Sequence, residues 1–149
     1  YYDNEKIELK QFNAKDGFGI AALGKENIAC AVITGRNAPL TLRRMQDLGV
    51  KIIAQGELSK GEALNRICSE LGITPEESVC IGDDLNDLPM MRVAGVSVCP
   101  QDAHPYIKGF TDYVTSCTAG HGAVRELCDL ILMSKGILNQ DGGYTDGRY

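Results

Sequence analysis

Residues 28–36, IACAVITGR, run through an unbroken apolar stretch and break at Thr34-Gly35-Arg36. A segment that is apolar at every position, rather than at alternate ones, is buried on both faces, as a strand inside a parallel sheet is. Residues 39–48 follow as a helical pattern opened by Pro39 and stopped by Gly49, the usual asymmetry of helix ends. The same unit then repeats. Residues 51–54 (KIIA) predict a short strand, residues 60–71 a helix closed by Gly72, and residues 78–81 (SVCI) a strand that delivers Gly82-Asp83-Asp84. Residues 88–93 read as helix, 95–99 and 113–115 as strands, and 122–135 (GAVRELCDLILMSK) as the longest amphipathic helix. Strands separated by helices predict an α/β fold with a doubly wound parallel sheet. Residues 1–12 alternate instead and predict a β-hairpin with its turn around residues 3–6. In doubly wound folds ligands bind beyond the carboxyl ends of the strands, where both TGR and GDD stand.

Composition narrows the function class. The 149 residues fit one domain, and 44% hydrophobic with 23% charged residues fits neither a disordered tail nor a membrane protein. A net charge of -5 without any Lys/Arg run argues against nucleic acid or an anionic membrane as partner, so an anionic substrate must be met by a local site. The six cysteines are scattered, with no CxxC pair and no Cys/His cluster at metal spacing, and most lie in apolar runs as small buried hydrophobes. That usage fits a reducing compartment. No apolar stretch reaches the roughly 18 residues of a membrane span, and YYDNEKIELK is no signal peptide, so the expected location is the cytoplasm.

Residues 82–87, GDDLND, place three carboxylates and an amide at the end of a buried strand. A hard cation such as Mg2+, which prefers oxygen ligands, would relieve their repulsion; acidic capping of a helix start is the plainer alternative. Thr34-Gly35-Arg36 offers a hydroxyl and exposed N–H groups at a helix start, suited to a phosphate or simply to a turn. Lys60 opens another helix, where its ammonium would either be solvated or neutralise an anion.

These pieces, with 13–20 (NAKDGFGI), Arg44 with Leu48-Gly49, Gln55-Gly56 before Lys60, 100–103 (PQDA) and 122–129 (GAVRELCD), lie in order over residues 2–132. Together they resemble the haloacid dehalogenase (HAD) superfamily. Within it they are similar to the capless branch of 3-deoxy-D-manno-octulosonate 8-phosphate (KDO 8-phosphate) phosphatases and the phosphatase-like domains of sialic acid cytidylyltransferases. The resemblance implies a β-hairpin flap without a large cap, and two-step phosphoryl transfer. An aspartate attacks phosphorus, a second aspartate two positions on serves as acid and base, and Mg2+ screens the anions. It assigns phosphate contact to Thr34 and Gly35, stabilisation of nucleophile and phosphate to Lys60, metal ligation to Asp83 and a supporting role to Asp87, with Arg36 and Asp84 close by. It also implies a homotetramer whose neighbouring subunits cover the site through the hairpin, and a group such as Arg125 that meets the carboxylate of a phosphorylated sugar acid.

The family carries its nucleophile in an N-terminal strand ending DxDGxxTDG, followed by a hairpin like that of residues 1–12. Here residues 139–149, NQDGGYTDGRY, read in that register when joined to residue 1, which predicts a circularly permuted single domain; a flexible Gly/Asp-rich tail is the plainer alternative. Asn139 then holds the nucleophile position and Asp141 the acid/base position, both as metal ligands with Asp83. An amide cannot form an aspartyl-phosphate, and only Ile137 and Leu138 represent the apolar first strand. Alternative readings are an impaired HAD-like oligomerisation or regulatory domain beside a sialic acid cytidylyltransferase, and a response-regulator-like phosphoacceptor, which the late position of GDDLND disfavours.

Overall fold

In the computed structural model, which describes residues 8–147, the run at 28–34 pairs as β1 (Ala31–Thr34) only over its last four positions. Chain order is α1 (Ala14–Lys25), β1, α2 (Pro39–Asp47), β2 (Ile52–Gln55), α3 (Lys60–Leu71), β3 (Val79–Ile81), α4 (Leu88–Met91), β4 (Val96–Cys99), α5 (Pro105–Phe110), β5 (Tyr113–Val114) and α6 (Ala123–Ser134). Every strand and helix expected above is present within three residues of its expected bounds. The hairpin expected at residues 1–12 lies mostly outside the described residues. Two helices go unannounced by the pattern, α1 and α5.

The strands are parallel throughout, but they form two sheets instead of the single one expected. In the first, β1 pairs with β2, Ala31 opposite Ile52 and Thr34 opposite Gln55. In the second, β3 pairs with β4 (Val79 opposite Val96) and β4 with β5 (Val98 opposite Tyr113). Both point the same way, because Lys60, just past β2, reaches Asp87, just past β3. Among the described residues no strand joins β1 to β3.

The core also forms two clusters, but they do not follow the two sheets. One buried cluster gathers Leu64 and Cys68 of α3, Cys80, Cys99, Met90, Met91 and Ile107, with Ile33 of β1 packed on it. The other gathers Ala22 and Leu23 of α1, Cys128 and Leu132 of α6, and Leu138. Ile107 and Leu132 are 0% exposed, and burying each contributes about 2 kcal/mol relative to leaving it in water. The cysteines are all free thiols, and Cys68, Cys80, Cys99 and Cys128 are buried, which fits their reading as small hydrophobes.

Helix α6 fixes where the C-terminal segment goes. Its first turn lies beside the carboxyl end of β5, where Glu126 accepts the Ser116 and Cys117 amides. Its last residue, Ser134, lines a groove with Val79 and Val96, which begin β3 and β4. The chain therefore leaves α6 at the amino end of the sheet.

Candidate active site

The β3 strand ends at Ile81 and the chain turns sharply through Gly82. A Cβ at Gly82 would lie 2.5 Å from the Cβ of Asp87, so only glycine leaves room for the Asp87 side chain to fold back under the loop. Asp87 is 4% exposed, and a buried carboxylate must be paired and hydrogen-bonded to stay charged. It is both. Its Oδ2 accepts the Asp83 N–H at 2.9 Å and the Asp84 N–H at 3.2 Å, and its Oδ1 accepts the Lys60 ammonium at 2.5 Å. Asp84 caps the single turn of residues 85–87 by accepting the Leu85 amide at 2.7 Å. The two readings of GDDLND are thus combined: Asp84 and Asp87 organise the turn, and Asp83 is left over.

Asp83 stands at the rim. Its amide is held by Asp87 and its carbonyl accepts the His104 N–H at 2.9 Å, while its carboxylate hydrogen-bonds to no side chain among the described residues. Partial burial, and then the charge of Asp87, push the Asp83 carboxyl above the ordinary aspartate value; Lys60 offsets part of this. A carboxylate with no side-chain partner, raised in energy by a neighbouring anion, favours a hard cation. Mg2+ characteristically takes one or two carboxylates and keeps several waters, so Asp83, with Asp84 adjacent, fits it. Among the described residues no three His, Cys, Asp or Glu side chains converge to hold a metal.

Lys60 is placed by packing. At Gly61 a Cβ would come within 2.7 Å of the Pro89 carbonyl, so the start of α3 abuts α4 and the Lys60 side chain, 12% exposed, enters the Asp87 corner. Thr34 ends β1 half-buried, and its carbonyl accepts the Glu57 N–H at 3.0 Å, which fastens the loop carrying Lys60 to the TGR turn. Its hydroxyl accepts the Arg36 N–H at 3.3 Å, and Gly35 and Arg36 are exposed beside it. Thr34, Gly35, Lys60, Asp83, Asp84 and Asp87 therefore all sit at the carboxyl ends of the strands.

Asn139 and Asp141 do not join them. The Asn139 N–H donates to the Gly143 carbonyl at 2.7 Å, the Gly142 N–H to the Asn139 carbonyl at 3.0 Å, and the Gly143 N–H to Asp141 Oδ1 at 3.1 Å. The turn is anchored by Leu138 and Tyr144 on the α1–α6 cluster, near the amino end of the sheet. The reason is that α6 delivers the tail there and the Ile137 and Leu138 N–H groups fold it back onto the Leu132 carbonyl at 2.9 and 3.3 Å. Arg125, expected to face a neighbour's substrate, grips Asp129 at 2.7 Å and lies 4.8 Å from the centre of the Phe18 ring. Sequence reasoning passed over His104, although a polar residue before Pro105 is a helix-cap signal.

A family model described as haloacid dehalogenase-like hydrolase matches residues 49–127. The 3-deoxy-D-manno-octulosonate 8-phosphate phosphatase KdsC of Salmonella typhi is 43% identical over 145 residues, 97% of this chain and 77% of that protein. The crystal structure of the corresponding phosphatase from Yersinia pestis superposes with a TM-score of 0.88 at 44% identity, covering 91% of this chain and 73% of that one. The Moraxella catarrhalis enzyme, solved with magnesium ion, phosphate ion and KDO, gives 0.87 at 40% identity, covering 90% and 77%.

Proposed function

Since this chain belongs to the haloacid dehalogenase-like hydrolases, we propose that it is a magnesium-dependent phosphatase site for a phosphorylated sugar acid such as KDO 8-phosphate. The observation that carries this reading is the buried Lys60–Asp87 pair beneath Asp83, whose carboxylate has no side-chain partner among the described residues. A structural domain has no need to bury an ammonium and a carboxylate at a strand end, where desolvation costs several kcal/mol per ion. Mg2+ held by Asp83, with Asp84 in reserve, would supply charge neutralisation for the phosphate. Lys60 neutralises the anion from below, Asp87 fixes Lys60 and the loop amides, and Thr34 and Gly35 present a hydroxyl and amides to phosphate oxygens.

Asn139 and Asp141 enter this reading as nucleophile and acid/base positions only through their register with DxDGxxTDG, and Asn139 cannot attack phosphorus. In that register, turnover requires a carboxylate at position 139. The divided sheet and the distant tail favour a second reading, a non-catalytic HAD-like module beside a sialic acid cytidylyltransferase. A homotetramer closing the site is supported by exposed apolar side chains at this end, Leu9 at 63% and Leu58 at 96%. A cytoplasmic setting is supported by the free thiols; no helix among the described residues is long and apolar enough to cross a membrane.

The test is calorimetric binding of KDO 8-phosphate and sialic acid 9-phosphate with and without Mg2+, and phosphate release by the chain and by Asn139→Asp. Expected is Mg2+-dependent binding of KDO 8-phosphate, weakened at least about tenfold in Lys60→Ala; release by the aspartate variant alone would show that residue 139 reaches Asp83 and would establish the tail register. Binding without release in either chain would favour the non-catalytic reading and refute the tail register. Failure to bind Mg2+ and phosphate would overturn the phosphatase assignment.

A further inference from the structure

We propose that the loop between β4 and α5 is a bracket that aims the Asp83 carboxylate, with His104 as its positioning residue; the inference rests on Asp83 being the metal-binding group proposed above. An exposed aspartate whose carboxylate touches no other side chain takes its direction from its own peptide. The Asp83 peptide is pinned from two sides. Asp87 accepts its N–H at 2.9 Å, and the His104 N–H donates to its carbonyl at 2.9 Å. The first pin belongs to the buried ion pair; the second comes from a different element.

What holds His104 in place is its own ring. Its Nδ1 accepts the Tyr106 N–H at 3.2 Å, so the imidazole caps α5, a helix of only six residues, whose cap contributes a large share of its backbone order. The bracket is fixed at its far end too. The Gln101 N–H donates to the Cys117 carbonyl at 3.0 Å, and Asp102 Oδ1 accepts the Ala119 N–H at 2.8 Å. Ala103, 5% exposed, and Ile107, 0% exposed, root it in the core. His104 is itself exposed, so its ring serves the cap and not the core. The imidazole thus acts on Asp83 at one remove: ring to Tyr106 amide, cap to His104 backbone, backbone to Asp83 carbonyl.

The experiment compares the chain with His104→Ala and His104→Asn by Mg2+ titration calorimetry and by residue-resolved amide exchange without metal. Asparagine caps helices well and alanine does not. Expected is a Mg2+ dissociation constant raised about fivefold in the alanine variant, with faster exchange at the amides of residues 83 and 104. Asparagine should restore both to within about twofold. Unchanged exchange at 83 and 104 in the alanine variant, or equal loss in both variants, would overturn the bracket. Absence of Mg2+ binding by the unmodified chain would overturn the metal reading instead, and the exchange comparison would still decide whether His104 holds the Asp83 loop.

Discussion

Two glycine- and aspartate-rich loops in this molecule look alike as strings and behave differently as structures. Residues 82–87 follow the edge strand β3, and residues 139–147 follow a helix end by a few residues. In the first, the Asp87 carboxylate turns inward, takes two amides and an ammonium from α3, and leaves Asp83 poised at the rim. In the second, Asp141 stays exposed and accepts one amide of its own turn. Acidic composition alone does not make a site. A cation supplied by another element does, together with a backbone held firmly enough to aim the remaining carboxylate.

This contrast breaks most easily at Asp87. Asp87→Ala strands the Lys60 ammonium, and removes the acceptor of two loop amides; chemical denaturation should show a loss of about 3 kcal/mol or more. Should the loss stay below about 1 kcal/mol, the ion pair is not what organises the loop. Gly82→Ala tests the space beneath the turn, since the new methyl would overlap Asp87; a loss of about 1–3 kcal/mol is expected, with the Lys60–Asp87 contact visibly shifted in a crystal structure. The smallest effect belongs to the tail. Asp141→Ala should change thermal stability by no more than about 0.5 kcal/mol and leave Mg2+ affinity unaltered, whereas a tenfold weaker Mg2+ affinity would place the tail in the site after all.

Much of this was readable in advance. Strands reveal themselves by continuous apolar runs, and each of the five was visible, as was the convergence of TGR, Lys60 and GDD at the carboxyl ends of the strands. Helix α1 was hidden because Gly17, Gly19 and Gly24 dilute its helical pattern. Two of those glycines exist for packing: a Cβ at Gly17 would strike Arg44, and one at Gly19 would strike Cys128. Helix α5 was hidden by brevity and by Pro105 and Gly109. What no local pattern encodes is which strand pairs with which, so the division into two sheets was not legible. Nor was the tail's position, since a motif gives a register but not the end of the sheet to which the preceding helix delivers it.

The Lys60–Asp87 ion pair has one further consequence. Lys60 follows the β1–β2 sheet and Asp87 the β3–β4–β5 sheet, so the pair is a clasp between the two sheets, beside the cluster that holds Leu64, Met90 and Ile33. Any anion or cation engaging Lys60, Asp83 and Thr34 at once would grip both halves together. Ligand affinity and the cohesion of the fold are then one thermodynamic quantity: at a hundredfold excess over its dissociation constant, such a ligand adds about 2.7 kcal/mol to the stability of the whole chain.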